Sequence, residues 1–359
     1  MPYTTATGRT YDSGDFAAHM ARALARAGWA EFPARAAAAR AAGRLRGIGF
    51  ATYVEACGGG APEPAYLTLD ADGAVTLRIG TQATGQGHQT AYAQLAAAHL
   101  GLPPAAVRVR QGDSDDTPDG QGTGGSRSLP VGGPAVDGAA RRLAGKLRRL
   151  AADALEADAA DVELSDGHAV IAGTDRRLAF ARLAALPGVT AQDLSASDAF
   201  RPPEPTYPNG THVCEVEIDP QTGATQVVAY TVVDDFGATL NPVLLEGQIH
   251  GGVAQGIGQA LLERTVYDAG GQLLTASFMD YALPRAQDMP HFVFETLNVP
   301  CTTNPLGVKG AGEAGTIGAC PAVMNAVVDA LHRGCGITHM DMPATPQAVR
   351  AAIAAAGGG

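Results

Sequence analysis

Apolar positions along the chain switch between two rhythms, and the switches mark its elements. From Phe16 through Met20 and Leu24 apolar side chains recur at helical spacing. Alanine is dense up to Ala42, and Gly43 marks a stop. Residues 1–45 therefore read as a helical lead-in, with Asp12 or Ser13 as the N-cap. From Gly47 the period shortens. Residues 48–55 alternate as a strand, and 65–69 and 74–79 flank the turn Asp70-Ala71-Asp72-Gly73, which predicts a hairpin. A Gly/Gln loop (80–87), a helix over 88–100 and a strand over 107–110 follow. Next come a loop rich in Asp, Gly and Ser (112–130), a long helix over 131–155, and a short hairpin around Asp166-Gly167 leading to a short helix.

Residues 195–208, rich in Pro and polar side chains, read as a linker. Beyond them the outline repeats: strands over 212–218 and 225–234 around the turn 219–223, then a helix opening near Asn241-Pro242. Strands are predicted over 264–267 and 292–297. A third glycine-rich loop, 307–315, precedes a helix over 316–333. Hairpin, glycine loop, helix, twice over, predicts an α+β fold with two similar subdomains (about 46–194 and 209–345) that form one domain over 46–345, followed by a tail over 346–359.

Composition removes several classes of function. A net charge of -11 argues against nucleic acid as a main partner, which would need a basic face. The basic run Arg141, Arg142, Lys146, Arg148, Arg149 lies among alanines and leucines and reads as a solvated helix face. The start of the chain has no signal-peptide pattern and no apolar run approaches a membrane span, so the cytoplasm is the expected compartment. Cys57, Cys214, Cys301, Cys320 and Cys335 are odd in number and form no C-x-x-C pair, so neither a disulfide framework nor a cysteine-bound metal is expected.

The 46 glycines cluster in three loops that each precede a helix. Glycine lets backbone N–H groups approach a ligand, and a helix N-terminus adds partial positive charge, so the arrangement suits an extended anionic cofactor. Gly310-Ala311-Gly312-Glu313-Ala314-Gly315 matches the dinucleotide pattern G-x-G-x-x-G, but a loop separates it from the strand before it and Glu313 would oppose a pyrophosphate. Residues 138–147 depart from a P-loop, Gly124-Gly125-Ser126-Arg127-Ser128 lacks the final glycine of a nucleophile elbow, and no H-E-x-x-H occurs.

Taken together, the strings Gly85-Gln86-Gly87-His88-Gln89-Thr90, Gly122-Thr123-Gly124-Gly125-Ser126-Arg127-Ser128, Val233-Asp234-Asp235-Phe236-Gly237 with Asn241-Pro242, Glu246-Gly247-Gln248-Ile249-His250-Gly251-Gly252 and Val308-Lys309-Gly310-Ala311-Gly312-Glu313-Ala314-Gly315 resemble, in order, the second cofactor-binding domain of the molybdenum hydroxylases. These are the xanthine dehydrogenase, aldehyde oxidase and carbon monoxide dehydrogenase family, and the likeness is closest to the bacterial branch that includes the carbon monoxide dehydrogenase large subunit. The resemblance implies a molybdenum–molybdopterin cytosine dinucleotide cofactor. Gln86 and Gln248 would bond the pterin and the metal's ligands. Gly85, Gly87, Gly125, Ser126, Arg127 and Ser128 would hold the dithiolene, phosphate and nucleotide portions, and His88, Thr90, Lys309, Gly310 and Gly312 complete the expected set. Glu313 would be the catalytic base. No protein side chain is expected to bind molybdenum, which the dithiolene holds.

In the family the large subunit is about twice this long, and residues 10–16 resemble the segment that joins its halves. The expectation is a fragment or one part of a split subunit, inactive alone. Its expected partners are a separate N-terminal half, a small subunit with [2Fe-2S] clusters and a medium subunit with FAD. The reaction implied is oxidation of an aldehyde, an N-heterocycle or carbon monoxide with water as the oxygen source. A non-catalytic scaffold and a nicotinamide-binding dehydrogenase are the alternatives.

Overall fold

The computed structural model describes residues 1–117 and 119–357. Pro118, in the expected 112–130 loop, and Gly358 and Gly359, at the end of the expected tail, lie outside the described residues.

A short hairpin, β1 (Tyr3–Thr4) and β2 (Thr10–Tyr11), opens the chain, followed by α1 (Phe16–Arg26) and α2 (Phe32–Ala41). The lead-in is thus two helices, because Gly28 turns the chain at φ 58°. The N-cap is Asp15, whose carboxylate accepts from Ala18 N–H at 3.1 Å, and not Asp12 or Ser13. Asp12 instead accepts from Thr302 N–H at 2.6 Å and ties the lead-in to a distant loop.

Strand β3 (Leu45–Val54) comes next, and the first layer then contains β4 (Glu63–Leu69), β5 (Val75–Ile79), α3 (His88–Leu100), β6 (Val107–Arg110) and α4 (Gly133–Leu155). A small sheet of β7 (Val162–Ser165), β8 (His168–Ile171) and β9 (Arg177–Ala179) follows, with α5 (Phe180–Ala184) and β10 (Ser195–Phe200). The second layer has β11 (Asn209–Ile218), β12 (Thr225–Asp235), α6 (Pro242–Leu261), β13 (Phe292–Thr296), α7 (Ala314–Cys335) and α8 (Pro346–Ala355). One four-stranded sheet runs β10-β4-β5-β6 and the other β13-β12-β11-β3. Helices on sheets with mixed pairing make the fold α+β, as the patterning predicts.

The sheets cross the expected subdomain division. β3 lies before the first glycine loop in sequence, yet it pairs along its whole length with β11, from Leu45↔Ile218 to Val54↔Asn209. The reason is visible at Gly47 and Gly49: a Cβ at either would collide with the backbone of α7 at Ala326. Glycine on the strand and Ala322, Ala326 and Ala330 on the helix let α7 lie directly on β3. The expected linker is corrected too. Residues 195–200 form edge strand β10, paired antiparallel with β4 from Ser195↔Thr68 to Phe200↔Glu63. Its polar side chains reach solvent or α4, where Asp198 accepts from Arg142 at 3.0 Å, so a polar sequence still makes a strand at an edge. No strand forms over 264–267, where a single bridge, Tyr267↔Leu273, closes a turn. The tail contributes α8, which buries Val349 and Ile353 in the second core.

The long helix α4 buries Ala135, Val136, Ala139, Ala140, Leu143 and Leu147 at helical spacing. Its basic run faces outward, as expected, with Arg141 on Asp137 at 3.0 Å and Lys146 on the Ser195 carbonyl at 2.7 Å. One helix departs from expectation: α7 is long and apolar enough to cross a membrane by length and composition. Here 56% of its most apolar window is buried inside the fold, against β3 and α6.

Candidate functional site

A cavity of about 590 Å³ lies where the two layers meet. Four helices bring their N-terminal residues to it: His88 of α3, Leu129 and Pro130 of the turn that opens α4, Leu244 and Gln248 of α6, and Glu313 at the start of α7. Unsatisfied N–H groups and the helix dipoles make such a convergence attractive to anions.

The first loop is set from within. Tyr92 OH lies 2.8 Å from Thr81 Oγ1 and donates to the Ser128 carbonyl at 2.7 Å, while His88 Nδ1 stands 3.1 Å from the Thr81 carbonyl. Burial lowers the pKa of His88, which keeps its ring neutral. Gln86 accepts at Oε1 from the hydroxyl and backbone N–H of Thr84, so its amide NH₂ is the part left to donate into the cavity. Gln248 reaches the same cavity from α6. Asn241 caps α6 through Oδ1 to Leu244 N–H at 3.0 Å, and its Nδ2 donates to Gln94 of α3 at 3.0 Å, which couples the two helices.

The second loop presents Gly125, Ser126 and Ser128. At Gly85 (φ 113°) and Gly125 (φ 55°) no described atom lies within 4 Å of where a Cβ would stand, so ligand atoms can approach the backbone there. The third loop adds Lys309, Gly310, Gly312 and Glu313. Ser126 joins the second loop to the third: its Oγ donates to Glu313 Oε2 at 2.8 Å and accepts from Glu313 N–H at 3.2 Å.

Three expected site residues do not line the cavity. Arg127 is buried, and its guanidinium is committed to Glu63 at 2.6 Å and to the carbonyls of Gly122 and Ala61 at 3.1 and 2.9 Å. It braces the loop from behind, because a cation this deep needs a buried partner. Gly87 is the N-cap of α3 at φ 77°, where a Cβ would stand 2.7 Å from Leu244, so it serves the contact between α3 and α6. Thr90 points to solvent from the first turn of α3. Lys309 lines the cavity, but its ammonium is fully buried against Asp235 Oδ2 at 2.6 Å.

Sequence reasoning did not single out Asp235, Glu63 or Glu55. Asp235 accepts at Oδ1 from Gly237 and Val299 N–H at 2.8 and 2.9 Å besides holding Lys309, so it staples three segments. The only sequence signal for it was its place in the string 233–237. Glu63 and Glu55 sit at and beyond strand ends, with no motif around them.

The geometry decides between the cofactor classes. The G-x-G-x-x-G stretch is packed against the second loop: a Cβ at Gly310 would meet Cys57 Cβ and the Ser126 carbonyl, each at 2.7 Å, and no described strand follows α7. Gly310 thus serves loop packing, and the stretch is not a pyrophosphate turn. A molybdopterin group fits better. It needs amide donors along a heterocycle edge, backbone exposed at glycines and positive helix ends for its phosphates, and Gln86, Gln248, Gly85, Gly125 and the four helix starts provide these.

Comparison with known proteins agrees with this. The molybdopterin cofactor-binding domain family matches residues 22–290. The carbon monoxide dehydrogenase large chain of Hydrogenophaga pseudoflava is 36% identical, over 96% of this chain and 45% of its own length. The nicotine 6-hydroxylase large subunit of Paenarthrobacter nicotinovorans is 36% identical, over 97% of this chain and 45% of its own. The quinoline 2-oxidoreductase structure from Pseudomonas putida 86 superposes with a TM-score of 0.86 at 34% identity, covering 98% of this chain and 47% of that one. The chain spans just under half the length of these relatives. With a matching family and matching relatives, it belongs to the molybdenum hydroxylases, as a molybdopterin-binding part of their large subunit.

Proposed function

We propose that this chain is the molybdopterin-binding component of an oxidoreductase that hydroxylates a small substrate with water as the oxygen source. The observation that carries the reading is Glu313: a carboxylate on the cavity wall, held by Ser126, with Gln86 and Gln248 lining the same space. When bound, the molybdopterin group supplies a two-electron redox centre with its own metal ligands. The chain's residues do the rest. Gln86 and Gln248 would donate to the heterocycle edge and orient it. Gly85 and Gly125 would let the backbone approach, Ser128 and Gly312 would line the same wall, and the helix starts would receive the phosphates. Because Ser126 occupies Glu313 Oε2, Oε1 is the oxygen left to take a proton as general base.

The cytosine dinucleotide form of the cofactor, and electron transfer to subunits carrying [2Fe-2S] and FAD, belong to the same proposal. Relatives that are large chains of complexes support it. The substrate class follows theirs: carbon monoxide or an N-heterocycle such as nicotine or quinoline, with aldehydes as the third class. A separate N-terminal half would close the cavity's open side. Exposed apolar side chains at Val243 (79%), Phe278 (82%) and Met279 (95%) are consistent with a covering partner. Molybdenum analysis of the complex co-purified with its partners is the test. A stoichiometric metal content with turnover supports the reading. A fully assembled complex without molybdenum would overturn it and favour a non-catalytic scaffold.

A further inference from the structure

Glu55, the residue after β3, faces the carboxyl of Glu313, the thiol of Cys57 and the hydroxyl of Ser126. Its Oε2 is buried and has no hydrogen-bond partner among the described residues. Two ionised carboxylates accept only, so neither can satisfy the other. A single proton removes the conflict, because a neutral Glu55 can donate to Glu313.

The surroundings of the two carboxyls differ. Glu313 is exposed at the start of α7 and accepts from Ser126 Oγ at 2.8 Å. Burial, then the neighbouring Glu313, push the pKa of Glu55 up to about 7, which favours its acid. The other titratable groups facing Glu55 are Cys57, whose thiol burial pushes up and so keeps neutral, and Tyr53 of β3, likewise held neutral by burial.

We infer that Glu55 is a positioning residue for Glu313, sharing one proton with it so that Glu313 stays anionic, oriented and ready to act as base. The role in catalysis rests on the functional reading above; the shared proton does not.

The pair is tested first without turnover, by infrared titration of the purified protein, following the protonated-carboxyl absorption from pH 5 to 9. A carboxyl titrating near pH 7 is expected in the parent and lost in Glu55→Gln. In Glu313→Gln, which leaves Glu55 intact, the midpoint should fall by about one pH unit or more, because a neighbouring negative charge has gone. Persistence of the absorption in Glu55→Gln, or an unmoved midpoint in Glu313→Gln, overturns the inference. The second arm uses the assembled, molybdenum-loaded complex. There Glu55→Gln should erase the inflection near pH 7 in kcat/KM, and an unchanged profile would overturn the positioning role. The infrared arm needs no molybdenum, so its failure and a failure of the functional reading are told apart by metal content.

Discussion

Ser126 grips Glu313 at both ends, donating to its carboxylate at 2.8 Å and accepting from its backbone N–H at 3.2 Å. Residues 187 apart in sequence are thereby locked into one wall of the cavity. Ser126 takes φ 50° to do so, an uncommon conformation for a residue with a side chain. Ser126→Ala keeps the Cβ and loses the hydroxyl. Losing a hydrogen bond of about 1 kcal/mol should cost roughly 5-fold in turnover at unchanged molybdenum content. Steady-state kinetics on metal-matched complexes would show it, and unaltered turnover would remove Ser126 from the mechanism.

Glu313→Gln separates chemistry from helix capping. An amide cannot take the proton, so turnover should fall on the order of 10²–10⁴-fold with cofactor loading retained. A charge that served only the dipole of α7 would instead cost about 0.3–1 kcal/mol of stability and leave the rate nearly intact. Turnover within a few-fold of the parent contradicts the assignment.

Lys309 and Asp235 form an ion pair with both side chains fully buried. Lys309→Met leaves Asp235 buried without its cation, so unfolding should become easier by about 3–5 kcal/mol. Lys309→Met with Asp235→Asn should recover part of that loss. Denaturant titrations of the three proteins measure it, and a single variant as stable as the parent would show that the pair does not hold the third loop.

Gly256 of α6 sits against Ala319 of α7, and a Cβ at Gly252 would stand 2.9 Å from Gly315 Cα. Gly256→Val should force the helices apart at a cost of about 1–3 kcal/mol. Because α7 carries Glu313 to the cavity, cofactor content should drop as well. Thermal unfolding and metal analysis on the same preparation test both.

Glu55 also ties stability to pH. Its pKa is raised in the fold from 4.5 to about 7, so its contribution is complete below pH 4.5 and is lost as pH rises through about 7. Glu55→Gln, neutral throughout, should lack this fall, so the variant gains on the parent between these pH values. Parallel stability curves for the two proteins across that window would contradict the shift.

The periods of 3.6 and 2 along the chain were enough for most elements. The helix over 88–100 and the strand over 107–110 stand where the patterning placed them, because each buries one face against its own neighbours. The glycine loops were legible as well, since positive φ and close backbone approach leave a compositional mark. Pairing was decided by the tertiary structure alone. β3 joins β11 across more than 150 intervening residues because Gly47 and Gly49 admit α7, a condition set by the partner helix and invisible in the strand's own pattern. The same holds for charge. Arg127 and Lys309 read as cofactor ligands, yet the fold places Glu63 and Asp235 within 2.6 Å of them and spends them on the frame. Glu55, unremarkable in sequence, acquires its pKa only when burial and Glu313 converge on it. Local pattern records what a residue does with its near neighbours along the chain; desolvation and Coulomb forces depend on distances in space, and those exist only once the chain has folded.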